Sequence, residues 1–459
     1  MAREAALADI LAAREARAAR QAALRDEYGM PLISFSLNIA GPVKDSPLIR
    51  RVFRAGAAEL EAGLRAAGLP LLHREEVLAF TGCEGLYAVG GLPLEIKRVC
   101  VLIEEGSALG RLFDLDVLDR EGRKLDREEA GAKERGCVVC GAAGRGCASR
   151  RVHSVDALQA AARRIMEDHF AAADRETVSA LATRALLDEV CVTPKPGLVD
   201  RANSGSHRDM DVFTFTASAA ALAPYWGECF QIGREVESPE DTLQALKKAG
   251  LRAERRMFAA TNGVNTHKGA IYTLGLLCGA VGRLWKPEAP CRGPEALLAM
   301  GGTLARAAAE AELAALTLQT ARTAGQRLYL EQGLSGARGE AARGFPGVAL
   351  ALTALKNALS AGRSKNDAGA IALLSLIARG TDTNLAARGG QEGAEWAAAR
   401  CRELLEWDSL PDMAEIAGID REFIRKNLSP GGCADLLAAA FFLKSWEEAE
   451  TYGADFPSE

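Results

Sequence analysis

The hydrophobic and polar positions of this chain fall into two textures. Over the first 172 residues helical and extended periodicities alternate: Leu7, Ile10, Leu11 and Leu24 mark one face of an opening helix, and residues 31–38 read as a strand. Further strands are predicted at 86–89, 99–104 and 110–118. From about Asp174 the extended signals nearly vanish. Helical periodicity then runs through 176–190, 211–225, 242–260, 267–284, 295–324, 345–359, 367–379, 396–406 and 434–446. The pattern predicts a multidomain protein, with an N-terminal α/β (α+β) domain over residues 1–172 and a larger all-α domain over 173–459, divided in the weakly apolar stretch 170–175. A chain of 459 residues exceeds one ordinary core, which agrees with that division.

Composition narrows the class. A hydrophobic share of 48% with 25% charged residues is that of a soluble globular protein rather than a disordered or fibrous one. The formal net charge of −5 argues against a nucleic-acid partner held by bulk electrostatics. The opening Met1-Ala2-Arg3-Glu4-Ala5-Ala6 lacks the apolar core of a signal peptide. The longest apolar run, 269–282, is broken by glycines and is shorter than the roughly 20 residues a membrane-spanning helix needs. A cytoplasmic protein with no membrane partner is expected, and 11 cysteines spread over both halves read as reduced thiols.

Candidate chemistry gathers where helices of the second half begin. Thr193-Pro194-Lys195-Pro196-Gly197-Leu198-Val199-Asp200 sets Lys195 on a loop stiffened by two prolines, and His207-Arg208-Asp209-Met210-Asp211 follows it. Thr261-Asn262-Gly263-Val264-Asn265-Thr266-His267-Lys268-Gly269 puts His267 and Lys268 at a helix N-terminus, where the dipole favours an anion. Ser335-Gly336-Ala337-Arg338-Gly339-Glu340, with Arg343 nearby, offers guanidinium groups to phosphate oxygens. Gly380-Thr381-Asp382-Thr383-Asn384 follows a helix that Gly380 would cap, and Ser429-Pro430-Gly431-Gly432 precedes a helix with Asp435 in its first turn. Carboxylates mixed with phosphate-gripping cations suit Mg²⁺ and a nucleoside triphosphate. Taken singly, Asp209 or Asp211 reads equally well as a helix N-cap.

These segments, in this order, resemble the triphosphoribosyl-dephospho-CoA synthase family over about residues 176–446. The resemblance implies a reaction of ATP with 3′-dephospho-CoA, in which the 2′-hydroxyl of dephospho-CoA displaces adenine from C1 of the ATP ribose and leaves the triphosphate in place. Cleaving that C–N bond builds oxocarbenium character, which calls for a carboxylate by the sugar, an acid by the purine and a base for the hydroxyl. Asp209, Asp211 or Asp382 would supply the base or a metal ligand; Lys195, Lys268 and Arg338 would grip the triphosphate; Glu340 and Asp435 are further ligands. His207 and His267 are each an acid, a phosphate contact or a structural histidine, and the sequence leaves the three open.

In the first half, Gly110-Arg111-Leu112-Phe113-Asp114-Leu115-Asp116-Val117 sets Asp114 and Asp116 two apart on a strand, hence on one face, where they can share Mg²⁺ or simply be solvated. Arg14, Arg17 and Gln21 recur on one face of the first helix, and Lys44 follows a Gly41-Pro42 turn. Cys137, Cys140, Cys147 and His153 have spacings that one tetrahedral Zn²⁺ accepts, against the plainer reading as reduced thiols. Residues 7–165 resemble the citrate lyase holo-acyl-carrier-protein synthase family, most specifically in Gly-Arg-Leu-Phe-Asp-x-Asp-Val. That resemblance implies transfer of phosphoribosyl-dephospho-CoA to a serine of apo acyl carrier protein, the citrate lyase gamma subunit, with pyrophosphate leaving. Asp114 and Asp116 would hold the metal, while Arg14, Arg17 and Lys44 would face phosphate or the acidic carrier. The two implied activities are consecutive. Rival readings are the equivalent pair for malonate decarboxylase, a non-catalytic nucleotide- and carrier-binding assembly factor, and a glycohydrolase in which water replaces the hydroxyl.

Overall fold

In the computed structural model, residues 3–142, 147, 150–289, 293–314, 336–406 and 410–451 are described. The chain divides into two compact units, Met1–Ala173 with Pro287–Ala289, and Asp174–Lys286 with Pro290–Glu459. The described residues are mostly helical, with a small sheet in the first unit.

The first unit runs α1 (Leu7–Tyr28), β1 (Leu32–Leu37), α2 (Pro47–Ala66), β2 (Leu71–Ala79), β3 (Gly82–Val89), α3 (Pro93–Gly106) and β4 (Phe113–Leu118). The strands form one antiparallel sheet in the order β2-β3-β1-β4. The alternation of β1 gives the sheet two different faces. Ile33 and Phe35 are fully buried, and Phe35 stacks on Phe53 of α2 at 4.8 Å and meets Phe113 edge-on at 5.5 Å. The opposite face is apolar at one end, where Leu24 of α1 packs with Leu32, Leu86 and Ala88. At its other end this face carries Ser34, Ser36, Glu84, Asp114 and Asp116, because the register sets Ser36 opposite both Glu84 and Asp114, and Ser34 opposite Asp116. Leu7 and Leu11 of α1 lie exposed, and Leu24 near its C-terminal end is the buried residue of that helix.

The stretch 99–104, expected as a strand, is the second half of α3. Ile96, Cys100, Val101 and Glu104 are buried at helical spacing, and that period outweighs the short apolar run. Two charged members of the buried stripe serve the sheet directly. Lys97 Nζ donates to the Leu115 carbonyl at 3.0 Å and Glu104 accepts the Leu115 N–H at 2.9 Å, so the outer edge of β4 is satisfied by side chains.

Helix α4 (Val155–Cys191) contains the division between the units, and the second unit continues through α5 (Val212–Glu235), α6 (Pro239–Ala260), α7 (Lys268–Leu284), α8 (Pro294–Ala314), α9 (Gly336–Ala342), α10 (Pro346–Ser360), α11 (Lys365–Ala378), α12 (Thr383–Leu405), α13 (Met413–Arg425) and α14 (Gly431–Thr451). The part of the helix predicted beyond Ala314, to residue 324, and Ser335 lie outside the described residues. Helix α7 is buried from Ala270 to Gly282 except at Tyr272, which makes it the central helix of this unit. A Cβ on Gly233 of α5 would stand 1.9 Å from the Gly279 carbonyl oxygen, and one on Gly282 equally close to that of Phe230. The two helices therefore touch backbone to backbone, which explains the glycines that interrupt this apolar run. Helix α12 bends at Gly390, whose φ of 63° is non-helical, so only its second segment was legible as a helix.

Candidate active sites

In the helical unit the N-termini of α7, α12 and α14 are joined by two carboxylates, the buried Asp382 and the partly buried Asp435. Asp382 caps α12 by accepting the N–H groups of Asn384 (2.7 Å) and Leu385 (3.0 Å), and its other oxygen accepts the Cys433 N–H of α14 at 2.7 Å. This second capping bond lets α14 begin at Gly431, three residues before the expected start, so Asp435 stands one turn inside the helix rather than in its first turn. The Asp435 carboxyl takes the Ala270 N–H at the start of α7. Gly269 is what permits it: a Cβ there would be 2.0 Å from Asp435 Oδ2.

Lys195 enters the same region on the Pro-Lys-Pro-Gly loop. It is 1% exposed, its backbone N–H donates to Asp200, and its Nζ lies 2.5 Å from Glu189 Oε1. Asp200 is itself buried and accepts the N–H groups of Ala202 and Asn203, which folds the loop around the lysine. Burial pushes the Glu189 carboxyl up, against the pull of Lys195. Burial also pushes Asp382 up, although the N–H groups it accepts hold it back. Asp435 is driven well above the carboxylate range by burial and then by the fields of Glu189 and Asp382. His267, the N-cap of α7, is forced down to about 3 by burial and by Lys195, and is neutral.

Other expected site residues surround this cluster. Glu340 is buried, accepts the Gly347 N–H, and lies 3.5 Å from Arg379 and 3.6 Å from Arg343. Lys268 is half exposed and pairs with Glu254 at 3.0 Å, while Arg338 is exposed on α9. His207 hydrogen-bonds Ser429 at 2.8 Å and accepts from Arg388 at 3.2 Å; burial and then Arg388 lower it, with Asp209, 4.0 Å away, opposing. Asp209 is exposed, and Asp211 is the exposed N-cap of α5, accepting the Thr214 N–H at 2.9 Å. Lys195, His267, Asp382 and Asp435 thus come together, and Asp211 stands apart as a cap. Sequence reasoning passed over Glu189, Arg379 and Arg388. Glu189 had a usable signal, since it continues the buried stripe of Ala182, Ala185 and Leu186 on α4.

In the first unit Asp114 and Asp116 share the polar end of the α1-facing sheet surface. Asp116 pairs with Lys124 at 2.6 Å, and Asp114 is pushed up by the surrounding protein and then by Asp116. From α1, Arg17 reaches Glu84 at 3.3 Å and Gln21 donates to Ser34 at 2.9 Å, so Arg17 is already committed to a carboxylate. Lys44 donates to the Ile39 carbonyl and is lowered by burial and by Arg14. Arg14 has no side-chain partner among the described residues and is exposed.

The ligand atoms of Cys137, Cys140, Cys147 and His153 all lie within 4.8 Å of one another. Cys140 Sγ is 3.5 Å from Cys147 Sγ and 3.3 Å from His153 Nε2. The set is compatible with Zn²⁺, whose tetrahedral thiolate sites have sulfur atoms about 3.8 Å apart. Arg111 holds its first turn by donating to the Gly136 and Cys137 carbonyls, both at 2.9 Å. No helix among the described residues is long and apolar enough to cross a membrane.

The apo-citrate lyase phosphoribosyl-dephospho-CoA transferase family (CitX) matches residues 5–169, and the ATP:dephospho-CoA triphosphoribosyl transferase family (CitG) matches residues 175–453. Protein CitXG of Haemophilus influenzae is 32% identical over 452 residues, covering 95% of each chain. Protein CitXG of Leuconostoc mesenteroides subsp. cremoris is 32% identical over 464 residues, 95% of this chain and 96% of that one. The Albidiferax ferrireducens protein named "Probable 2-(5''-triphosphoribosyl)-3'-dephosphocoenzyme-A synthase" is 44% identical over 283 residues, 60% of this chain and 91% of that one. Two transferase families in succession, one on each unit, define a bifunctional transferase. The chain belongs to the CitXG family, whose halves serve formation of the citrate lyase prosthetic group.

Proposed function

We propose that the helical unit binds ATP where the N-termini of α7, α12 and α14 meet, and there exchanges its adenine for the ribose 2′-hydroxyl of 3′-dephospho-CoA. The observation that carries this reading is the meeting of three helix N-termini with the buried Lys195. Lys195 and, at the rim, Lys268, Arg338 and Arg343 grip phosphate oxygens. Glu189, Asp382 and Asp435 are all raised because their charged forms are disfavoured together, and such hard oxygen ligands suit Mg²⁺, which bound there would favour their ionised forms and neutralise the triphosphate. Ionised around that cation, their field would also favour the oxocarbenium character that builds at C1 as adenine departs. Asp382 is tied to three N–H groups and Asp211 caps a helix. Asp209, beside His207 and open to solvent, is therefore the base for the attacking hydroxyl. Adenine release from ATP and Mg²⁺, followed by chromatography, should require dephospho-CoA. Release without it would reveal a glycohydrolase, and no release with it would favour a binding factor.

On the sheet unit, where the serine of the citrate lyase acyl carrier protein attacks and pyrophosphate leaves, Asp114 and Asp116 would hold Mg²⁺, which would supply charge neutralisation at the phosphates. Arg14 and Lys44 meet the phosphates or the acidic carrier, and Arg17 acts through its pair with Glu84. The Cys137, Cys140, Cys147 and His153 set would hold a structural Zn²⁺, since three thiolates and an imidazole supply the four ligands of a closed zinc site. Protein purified under reducing conditions should carry one zinc per chain by mass spectrometry, and chelation should expose the three thiols to a thiol reagent. Zinc-free protein with freely reactive thiols would leave the set as plain cysteines.

A further inference from the structure

The two ring nitrogens of His267 have opposite surroundings. Nδ1 lies 2.7 Å from the Ser218 hydroxyl on α5, and the Thr266 hydroxyl donates to that same Ser218 oxygen at 2.7 Å. Ser218 is fully buried, and with Thr266 as the donor to its oxygen, Nδ1 is the acceptor left for its own hydroxyl proton among the described residues. With Thr266 occupying a lone pair, the remaining arrangement points the Ser218 proton at Nδ1. Nδ1 is then the acceptor and the ring proton resides on Nε2. Nε2 is buried and has no hydrogen-bond partner among the described residues. A buried N–H left unpaired is rare in folded proteins and marks a position that something else fills.

The rest of the shell keeps the ring neutral. Phe215 of α5 meets it edge-on at 5.0 Å, Met257 of α6 accepts its backbone N–H through sulfur at 3.3 Å, and Lys195 is the charged group whose field reaches it. Neither Phe215 nor Met257 titrates, and a neighbouring ammonium opposes protonation. Burial and Lys195 together hold the imidazole far below its ordinary range, so it cannot deliver a proton as an acid near neutrality.

We propose that His267 acts in the synthase reaction as a neutral hydrogen-bond donor through Nε2–H, with Ser218 and Thr266 as the positioning residues that fix its tautomer. The inference rests on the placement of ATP at the α7 N-terminus. The ligand atom it takes is an acceptor of the nucleotide, either a phosphate or ribose oxygen or a purine ring nitrogen. At a purine nitrogen, such a donor would stabilise the electron pair that the base carries away without itself losing a proton.

Long-range proton–nitrogen NMR of the full chain labelled in its imidazole nitrogens tests this. The chain has five histidines, and the His267→Gln variant identifies the resonance. The expected result is an Nε2–H tautomer that stays neutral from about pH 5.5 to 8.5, with Ser218→Ala converting it to a mixture of tautomers. His267→Gln, which keeps an amide donor but no acid, should hold adenine release within about tenfold, whereas His267→Phe should lose about 100-fold or more. An Nδ1–H tautomer, or a resonance titrating near an ordinary histidine, overturns the donor assignment. Should Mg-ATP bind by calorimetry yet leave the His267 resonances in place, the placement of ATP is overturned instead, whatever the tautomer.

Discussion

Replacing Lys195 by methionine is expected to abolish adenine release and to lower the melting temperature of the helical unit by several degrees. The two effects have separate origins. Lys195 is 1% exposed and Glu189 3%, and their ion pair is 2.5 Å long. Removing one partner of a buried pair strands the other and costs about 3–5 kcal/mol. The loss depends on pH with a definite sign. The Glu189 carboxyl is already raised by burial, and Lys195 is the group that opposes the rise. Without the lysine its folded-state value climbs further above the unfolded one. Stability is then fully retained below the ordinary carboxylate range and declines as pH rises through the shifted value, so the variant suffers least in acid. The double variant Lys195→Met with Glu189→Gln separates structure from function. It removes the stranded charge and should recover most of the thermal stability, yet adenine release should remain at least about 100-fold down, because the buried cation among those that grip the triphosphate is gone. Recovery of turnover in the double variant would reduce Lys195 to a structural ion pair.

What the sequence disclosed and what it hid divide along the range of the interactions. The helix carrying the 269–282 run was legible because its burial is continuous, and His267 and Lys268 could be set at its start because the turn residues before it break the period. The shared face of Asp114 and Asp116 follows from strand alternation alone. β2 escaped notice because it is an edge strand: Leu71, Leu72 and Leu78 are all exposed, and its charged middle shows no buried alternate positions. Helix α13 was passed over although Ile416, Ile419 and Phe423 carry a helical stripe, because that stripe is short and flanked by loops. The junction of α7, α12 and α14 has no local signature. Asp382 meets Cys433 fifty-one residues away, and Asp435 meets Ala270 across an even longer separation, so only the folded chain brings those helix starts together.

Asp114→Asn is expected to stop maturation of the carrier while leaving adenine release untouched. In the proposed site the aspartate contributes a charged oxygen to Mg²⁺, and the amide keeps the shape but not the charge. Loss of about 3 kcal/mol of metal stabilisation corresponds to a transfer rate about 100-fold lower. Stability should move the other way. Asp114 is raised by the surrounding protein and by the repulsion of Asp116, so neutralising it removes an unfavourable ionisation, and the variant should melt at the same temperature or higher. Asp116 is the less clean target, since its pair with Lys124 at 2.6 Å would be lost with it. One incubation reads both halves: with ATP, dephospho-CoA, Mg²⁺ and apo carrier, chromatography follows adenine and mass spectrometry follows the carrier. Adenine without a mass shift on the carrier locates the transferase on the sheet unit and the synthase on the helical unit. An undiminished mass shift would instead leave Asp114 and Asp116 as a solvated strand face, and the metal of the transfer step would have to be sought among other carboxylates of the first unit.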